Sequence, residues 1–181
     1  VGNKIPYLTS IEDKNSKGIP YCSTDIISES SLKTYIGNID DDGEYYRWNY
    51  KINNKNLIHS LKNNFSLDVK KILELNPIKV GASGRIIKLE IVFLNIDDRT
   101  MNIEIISEYQ IRKILSPSFL YSSAFTVNKI KDQFILEGKG WGHGVGLCQI
   151  GALGMALSNN KVMSILSHYY PGTEIETIYN K

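Results

Sequence analysis

Ile78-Lys-Val-Gly-Ala-Ser-Gly-Arg-Ile-Ile-Lys-Leu-Glu-Ile-Val-Phe-Leu-Asn-Ile-Asp-Asp-Arg-Thr-Met-Asn-Ile-Glu-Ile105 carries three apolar runs separated by two turn signals. Ile78 and Val80 come before the small-residue turn Gly81-Ala-Ser-Gly84. Arg85 to Leu94 is the second run, Asp97-Asp98 the second turn, and Met101 to Ile105 alternates apolar with polar. Connections this short join antiparallel neighbours, so we expect an antiparallel meander.

The flanks follow the same logic. After an Asp40-Asp-Asp-Gly43 turn, Tyr46, Trp48, Tyr50 and Ile52 alternate with Arg47, Asn49 and Lys51, as a half-buried strand does. Leu57, Leu61 and Phe65 recur every four residues, which predicts a helix capped by Asn56. Ile5 to Ile11 reads as a short strand or extended arm, followed by a polar loop. Residues 107–115 predict a short helix, with Ser107 as cap and Pro117 as stop. Phe125-Thr-Val and Gln133 to Glu137 predict two more strands. Val145 to Ser158 predicts a helix with Ile150, Leu153 and Leu157 on one face. Val162 to Tyr170 predicts another, stopped by Pro171-Gly172, and Glu174 to Tyr179 a closing strand. Strands with segregated helices make the fold α+β: an antiparallel, strand-rich domain with a few short helices, two of them near the C-terminus.

The 181 residues fit one compact domain, or one half of a two-domain protein, and 42% are apolar, enough for a real core. The net charge of +2 leaves no polybasic surface, which argues against nucleic acid as a partner. No apolar run reaches the roughly 18 residues of a membrane span. The chain opens without an initiator Met, a charged n-region or an apolar h-region, so we expect a piece of a longer protein. Abundant Ile, Lys and Asn with four Arg fit an AT-rich bacterial genome. The two cysteines, Cys22 and Cys148, lie far apart in unlike contexts. They could pair or join a metal site with ligands from elsewhere; we read them as two unpaired thiols.

Chemistry concentrates in Gly138-Lys-Gly-Trp-Gly-His-Gly-Val-Gly-Leu-Cys-Gln-Ile-Gly-Ala152, where six of fifteen residues are glycine. A tight strand-to-helix connection would account for the glycines alone, and no Gly-Lys-Ser/Thr follows to make a phosphate loop. His143, with glycine on both sides, has a ring unshielded by its neighbours. Ahead of a helix start it should be neutral, donating from one nitrogen and accepting at the other. Gln149 adds an amide in the first helical turns. Such donors and acceptors suit a neutral, hydroxyl- and amide-bearing ligand such as a sugar, with Gly142, Gly144 and Gly146 allowing close approach. The plainer readings are a packed structural histidine and a glutamine spent on a helix cap. Tyr169 and Tyr170 could stack on sugar rings, or belong to the core.

Gly140-Trp-Gly-His-Gly-Val-Gly-Leu-Cys-Gln-Ile-Gly-Ala-Leu-Gly-Met-Ala156, followed by Ile165-Leu-Ser-His-Tyr-Tyr-Pro-Gly-Thr173, resembles the C-terminal signature of the SpoIID/LytB family. Cys148 stands where the usual motif has Ser, and Leu147 where it has Met. Pro6-Tyr7-Leu8 with Asp13, the Ser83-Gly84-Arg85 turn, and Arg112 with Leu115-Ser116 and Phe125 also match family segments. The resemblance adds Ser83 and Arg85 to the candidate substrate contacts. It implies action on peptidoglycan glycan strands outside the cytoplasm, in the cell envelope of a Clostridium-like endospore former. Two functions follow: part of a sporulation-type lytic transglycosylase that cleaves denuded strands during engulfment, or a non-catalytic amidase enhancer or wall-binding module. The implied partners are other engulfment proteins and an N-acetylmuramoyl amidase, with a membrane anchor upstream. The family's catalytic glutamate lies upstream of the Pro-Tyr-Leu segment, so no catalytic residue is assigned here. Glu90, Glu104 and Glu108 read as solvated faces. No cofactor is assigned to this chain; the family's zinc, held by Cys and His, belongs to residues upstream.

Overall fold

The computed structural model describes residues 5–37 and 45–176. In chain order the elements are α1 (Glu29–Ile36), β1 (Arg47–Lys51), α2 (Asn54–Phe65), β2 (Val69–Val80), β3 (Ile86–Asn95), β4 (Thr100–Ile106), α3 (Glu108–Leu115), β5 (Phe125–Ile130), β6 (Gln133–Lys139), α4 (Gln149–Leu157) and α5 (Val162–Tyr169). Among the described residues, two antiparallel three-stranded sheets and five short helices make this an α+β fold. The chain divides into two units, residues 43–143 and residues 1–42 with 144–181.

In the continuous unit, β2, β3 and β4 form the expected meander, with Ile91 opposite both Leu75 and Ile103. Strand β2 starts at Val69, well before the Ile78 that sequence pattern marks. Its register shifts between Ile72 and Glu74, so the buried Ile72 and Leu75 lie three apart and break the period of two. Pro77 is tolerated because β2 is an edge strand. The second sheet runs β1-β6-β5. In the central strand β6, Gly138 stands opposite Trp48 on one side and Phe125 on the other. A Cβ on Gly138 would overlap the Trp48 indole, so glycine here makes room for the largest core side chain. Trp48, Leu61, Leu89, Ile91, Ile111 and Leu136 share one buried cluster.

Helix α2 is capped by Asn53, whose Oδ1 accepts from the backbone N–H groups of Lys55 and Asn56. The cap thus lies three residues before the expected Asn56. Leu57 and Leu61 are buried, but Phe65 is 36% exposed at the last turn. Helix α3 starts on Ser107 as expected.

In the discontinuous unit, α1 follows an N-cap at Ser28, and the sequence reading had no helix there. Residues 5–12 form no strand, which removes the strand alternative of the expected short strand or extended arm. Helix α4 begins at Gln149, not Val145. Alternating glycines at φ +69° (Gly144) and +74° (Gly146) hold the backbone out of the helical region until Cys148 caps it. Its buried face is Gly151, Gly154 and Met155, rather than Ile150, Leu153 and Leu157. A Cβ on Gly154 would overlap the Tyr21 carbonyl, and one on Gly151 the Tyr169 hydroxyl. The small-residue face therefore admits the amino-terminal segment against the helix. Residues 174–176 form no strand; the rest of the expected closing strand, like the Asp40–Gly43 turn, lies outside the described residues. No helix among the described residues is long and apolar enough to cross a membrane.

Candidate functional site

The glycine-rich segment is built differently in each unit. In the continuous unit, the Gly140 N–H donates to the Tyr46 carbonyl, the Gly142 N–H to the Tyr121 carbonyl, and the Trp48 indole to the Gly140 carbonyl at 3.0 Å. Trp141 stacks on Tyr121 with ring centroids 5.0 Å apart, and Tyr45 leans on its indole at 4.8 Å. Arg85 donates from Nε to the Gly142 carbonyl at 2.9 Å and from the guanidinium to the Trp141 carbonyl at 3.3 Å. The sequence reading placed Arg85 among substrate contacts; here its guanidinium clamps the loop. Ser83 is exposed in the preceding turn. Gly142 sits at φ +75° with open space where a Cβ would be, and His143 follows it, exposed, at the end of the unit.

In the discontinuous unit, Gln149 is exposed as the first residue of α4. Tyr170 is half-buried, with the Tyr7 ring edge-on at 6.2 Å and its hydroxyl over Gly146. Tyr169 is 2% exposed and its hydroxyl donates to Asp13 Oδ1 at 2.8 Å. Its ring belongs to the core with Met155 and Ile165, so stacking on a sugar is closed to it.

Beside Tyr169 lies a cluster that the sequence reading did not assemble. Asp13, Cys22 and Cys148 each direct one potential ligand atom to a common point, all within 4.8 Å of one another and each residue half-buried. Three chain segments meet there: the loop after the Pro-Tyr-Leu stretch, the turn after Tyr21, and the N-cap of α4. His168 Nε2 lies 3.2 Å from Asp13 Oδ1, and Tyr21 packs edge-on against the His168 ring. Both cysteines are free. The neighbouring Cys148 thiol pushes the Cys22 thiol far up, with burial adding to the effect. The neighbouring Cys22 thiol pulls the Cys148 thiol down to about 7, against burial and with help from the Gly151 N–H at 3.3 Å. Burial, then the Asp13 charge, pushes the Tyr169 hydroxyl up. Two sulfurs and a carboxylate are a donor set for a borderline-soft cation such as zinc. The only signals in sequence were the cysteine pair itself and the Asp13 of the Pro-Tyr-Leu segment.

A family model described as Domain of unknown function (DUF8618) matches residues 1–146. An uncharacterized protein of Brachyspira hyodysenteriae is 44% identical over 70 residues, covering 39% of this chain and 19% of that protein. A Bacillus subtilis protein named amidase enhancer is 36% identical over 66 residues, covering 36% of this chain and 9% of its own length. The chain thus spans less than a fifth of the length of either of these curated relatives.

Proposed function

The chain belongs to the family described as Domain of unknown function (DUF8618), and from that starting point we propose that it is a non-catalytic cell-wall module of the amidase-enhancer kind that binds peptidoglycan glycan. The observation that carries this reading is the exposed His143, presented by a loop whose carbonyls are pinned by Arg85. A fixed loop ending in an exposed imidazole suits recognition of a neutral, amide-bearing sugar, because little conformational freedom is lost on binding. The likeness to the amidase enhancer supports an amidase as partner and a place in the cell envelope.

Lytic transglycosylase action needs a carboxylic acid that still holds its proton near neutral pH. Glu90 is placed the opposite way. Amide groups of Asn76 and Asn102 donate to it and hold its carboxyl below the usual range. Glu104 pairs with Lys88 at 2.7 Å and Glu108 with Arg112 at 3.4 Å. Those partners take these three carboxyls out of the role of proton donor, and the likeness to the amidase enhancer favours the enhancer reading over the lytic one.

The test uses the chain with purified peptidoglycan and an N-acetylmuramoyl amidase. We expect co-sedimentation with denuded glycan, faster peptide release by the amidase, and no 1,6-anhydro sugars by mass spectrometry. His143→Ala should weaken co-sedimentation with the melting curve unchanged. Equal binding by wild type and variant, with no effect on the amidase, would remove the reading; release of anhydro sugars would restore the lytic one.

A further inference from the structure

The Asp13–Cys22–Cys148 cluster serves neither glycan binding nor the lytic chemistry weighed above, and its donors converge. We propose that Asp13, Cys22 and Cys148 form a binding site for a thiophilic divalent cation of the zinc class, with His168 and Tyr169 holding the Asp13 carboxylate in place. The inference goes beyond the glycan reading and stands without it.

The geometry fits. A tetrahedral zinc with bonds of about 2.3 Å to sulfur and 2.0–2.2 Å to oxygen sets its ligand atoms about 3.5–3.8 Å apart. The three donors already lie within 4.8 Å of one another, so closing on an ion needs movements of about 1 Å. Side-chain rotation supplies this without moving backbone.

Asp13 is arranged as a ligating carboxylate is. Its Oδ1 receives the Tyr169 hydroxyl at 2.8 Å and faces His168 Nε2 at 3.2 Å. Partners of this kind orient a ligand and set its tautomer or charge. Tyr21, edge-on to His168, backs the second layer. Gly151 matters too: a side chain there would press on Asp13 Oδ2 and overlap the Tyr169 hydroxyl.

The alternative fate for two neighbouring thiols is a disulfide. That would leave the carboxylate with its two backing groups unexplained. It would also require the sulfurs to approach to about 2.0 Å, whereas a shared ion lets them stay near their present separation. Three groups that are anionic when they ligate repel each other, and a divalent cation removes that repulsion. Three protein donors leave a tetrahedral ion one open position, as in sites that hold a water or an exchangeable ligand.

The experiment takes the full chain, reduced and freed of metal, and titrates it with cobalt(II) as the probe. We expect one cobalt per chain, an intense near-ultraviolet sulfur-to-cobalt band and the visible bands of a four-coordinate ion, all abolished by added zinc. Each of Cys22→Ser and Cys148→Ser should weaken the charge-transfer band, the double serine variant should lose it, and Asp13→Asn should weaken uptake by at least about tenfold. Circular dichroism checks that each variant folds. Should a variant unfold, the wild type decides: zinc should protect both cysteines from alkylation, mapped by mass spectrometry. Absence of the charge-transfer band, its persistence in the double serine variant, or alkylation unaffected by zinc would overturn the proposal. A reduced chain that turns in air into a species two hydrogens lighter, without metal uptake, would replace it with a disulfide.

Discussion

Glycine inside a helix costs about 1 kcal/mol relative to alanine, so propensity alone makes Gly154→Ala a stabilising change. Sterics oppose it. The added Cβ would overlap the Tyr21 carbonyl and press on the Ile26 side chain. A backbone carbonyl cannot swing aside, and overpacking of this kind costs typically about 1–3 kcal/mol. We therefore expect Gly154→Ala to lower the urea midpoint, a net loss of up to about 2 kcal/mol. A midpoint at or above wild type would mean that Tyr21 does not rest on this helix. At Cys148 the pH dependence has a definite sign. Its thiol is pulled to about 7, so in the reduced, metal-free chain its alkylation should rise as pH climbs through 7 and level off above it. Cys22, pushed up by the neighbouring Cys148 thiol and by burial, should stay slow throughout. Equal rates at both cysteines would contradict this proton order. Sequence reading had both thiols unpaired, as the structure has them. It could not bring them together, because their meeting depends on the small face of α4, and two glycines three apart read as weak helix rather than as a docking groove.

Among the elements, the N-terminus of α2 separates sequence pattern from hydrogen bonding. Both Asn53 and Asn56 are good caps by residue type, and the apolar spacing drew the boundary to the second. In the structure Asn53 Oδ1 accepts two N–H groups, at 3.1 and 3.2 Å, and Asn56 gives only its backbone N–H. Asn53→Ala should then cost about 1 kcal/mol, while Asn56→Ala should be neutral or slightly stabilising. Chemical denaturation of the two variants side by side checks this, and a reversed order would move the cap back to Asn56. The meander β2-β3-β4, the strands β1, β5 and β6, and α3 with its Ser107 cap were legible because each has a clean period and a marked turn. The first half of β2 was not, because its bulges shift the buried side by one residue and remove the alternation that identifies a strand. α1 was missed for another reason: it buries only Leu32, and one apolar position has no period. The early start assigned to α4 came from counting Val145 as helical, where the glycines on either side hold positive φ.

At the scale of the whole molecule, the two units differ in how the chain supplies them. One is continuous, and among the described residues its buried cluster draws on none outside 45–143. Both three-stranded sheets, α2 and α3 lie within it. Its first and last strands pair directly, Arg47 with Lys139, so its two ends emerge from the same edge pairing and excision cuts no element. A segment of about a hundred residues with its own core is the usual size for autonomous folding. The other unit is assembled from two distant segments whose contacts, such as Tyr21 on Gly154 and Asp13 on Tyr169, need both at once. We expect residues 45–143, expressed alone, to keep the β-type circular dichroism spectrum and to unfold in a single cooperative urea transition. That transition should be visible in the fluorescence of Trp48, which is 2% exposed in the core. Residues 5–37 and 144–176 should each be unstructured as isolated peptides, because helices of eight or nine residues are marginal in water without tertiary packing. A broad, non-cooperative transition of the 45–143 segment, with Trp48 emission already red-shifted before urea is added, would mean that its core does not close without the rest of the chain.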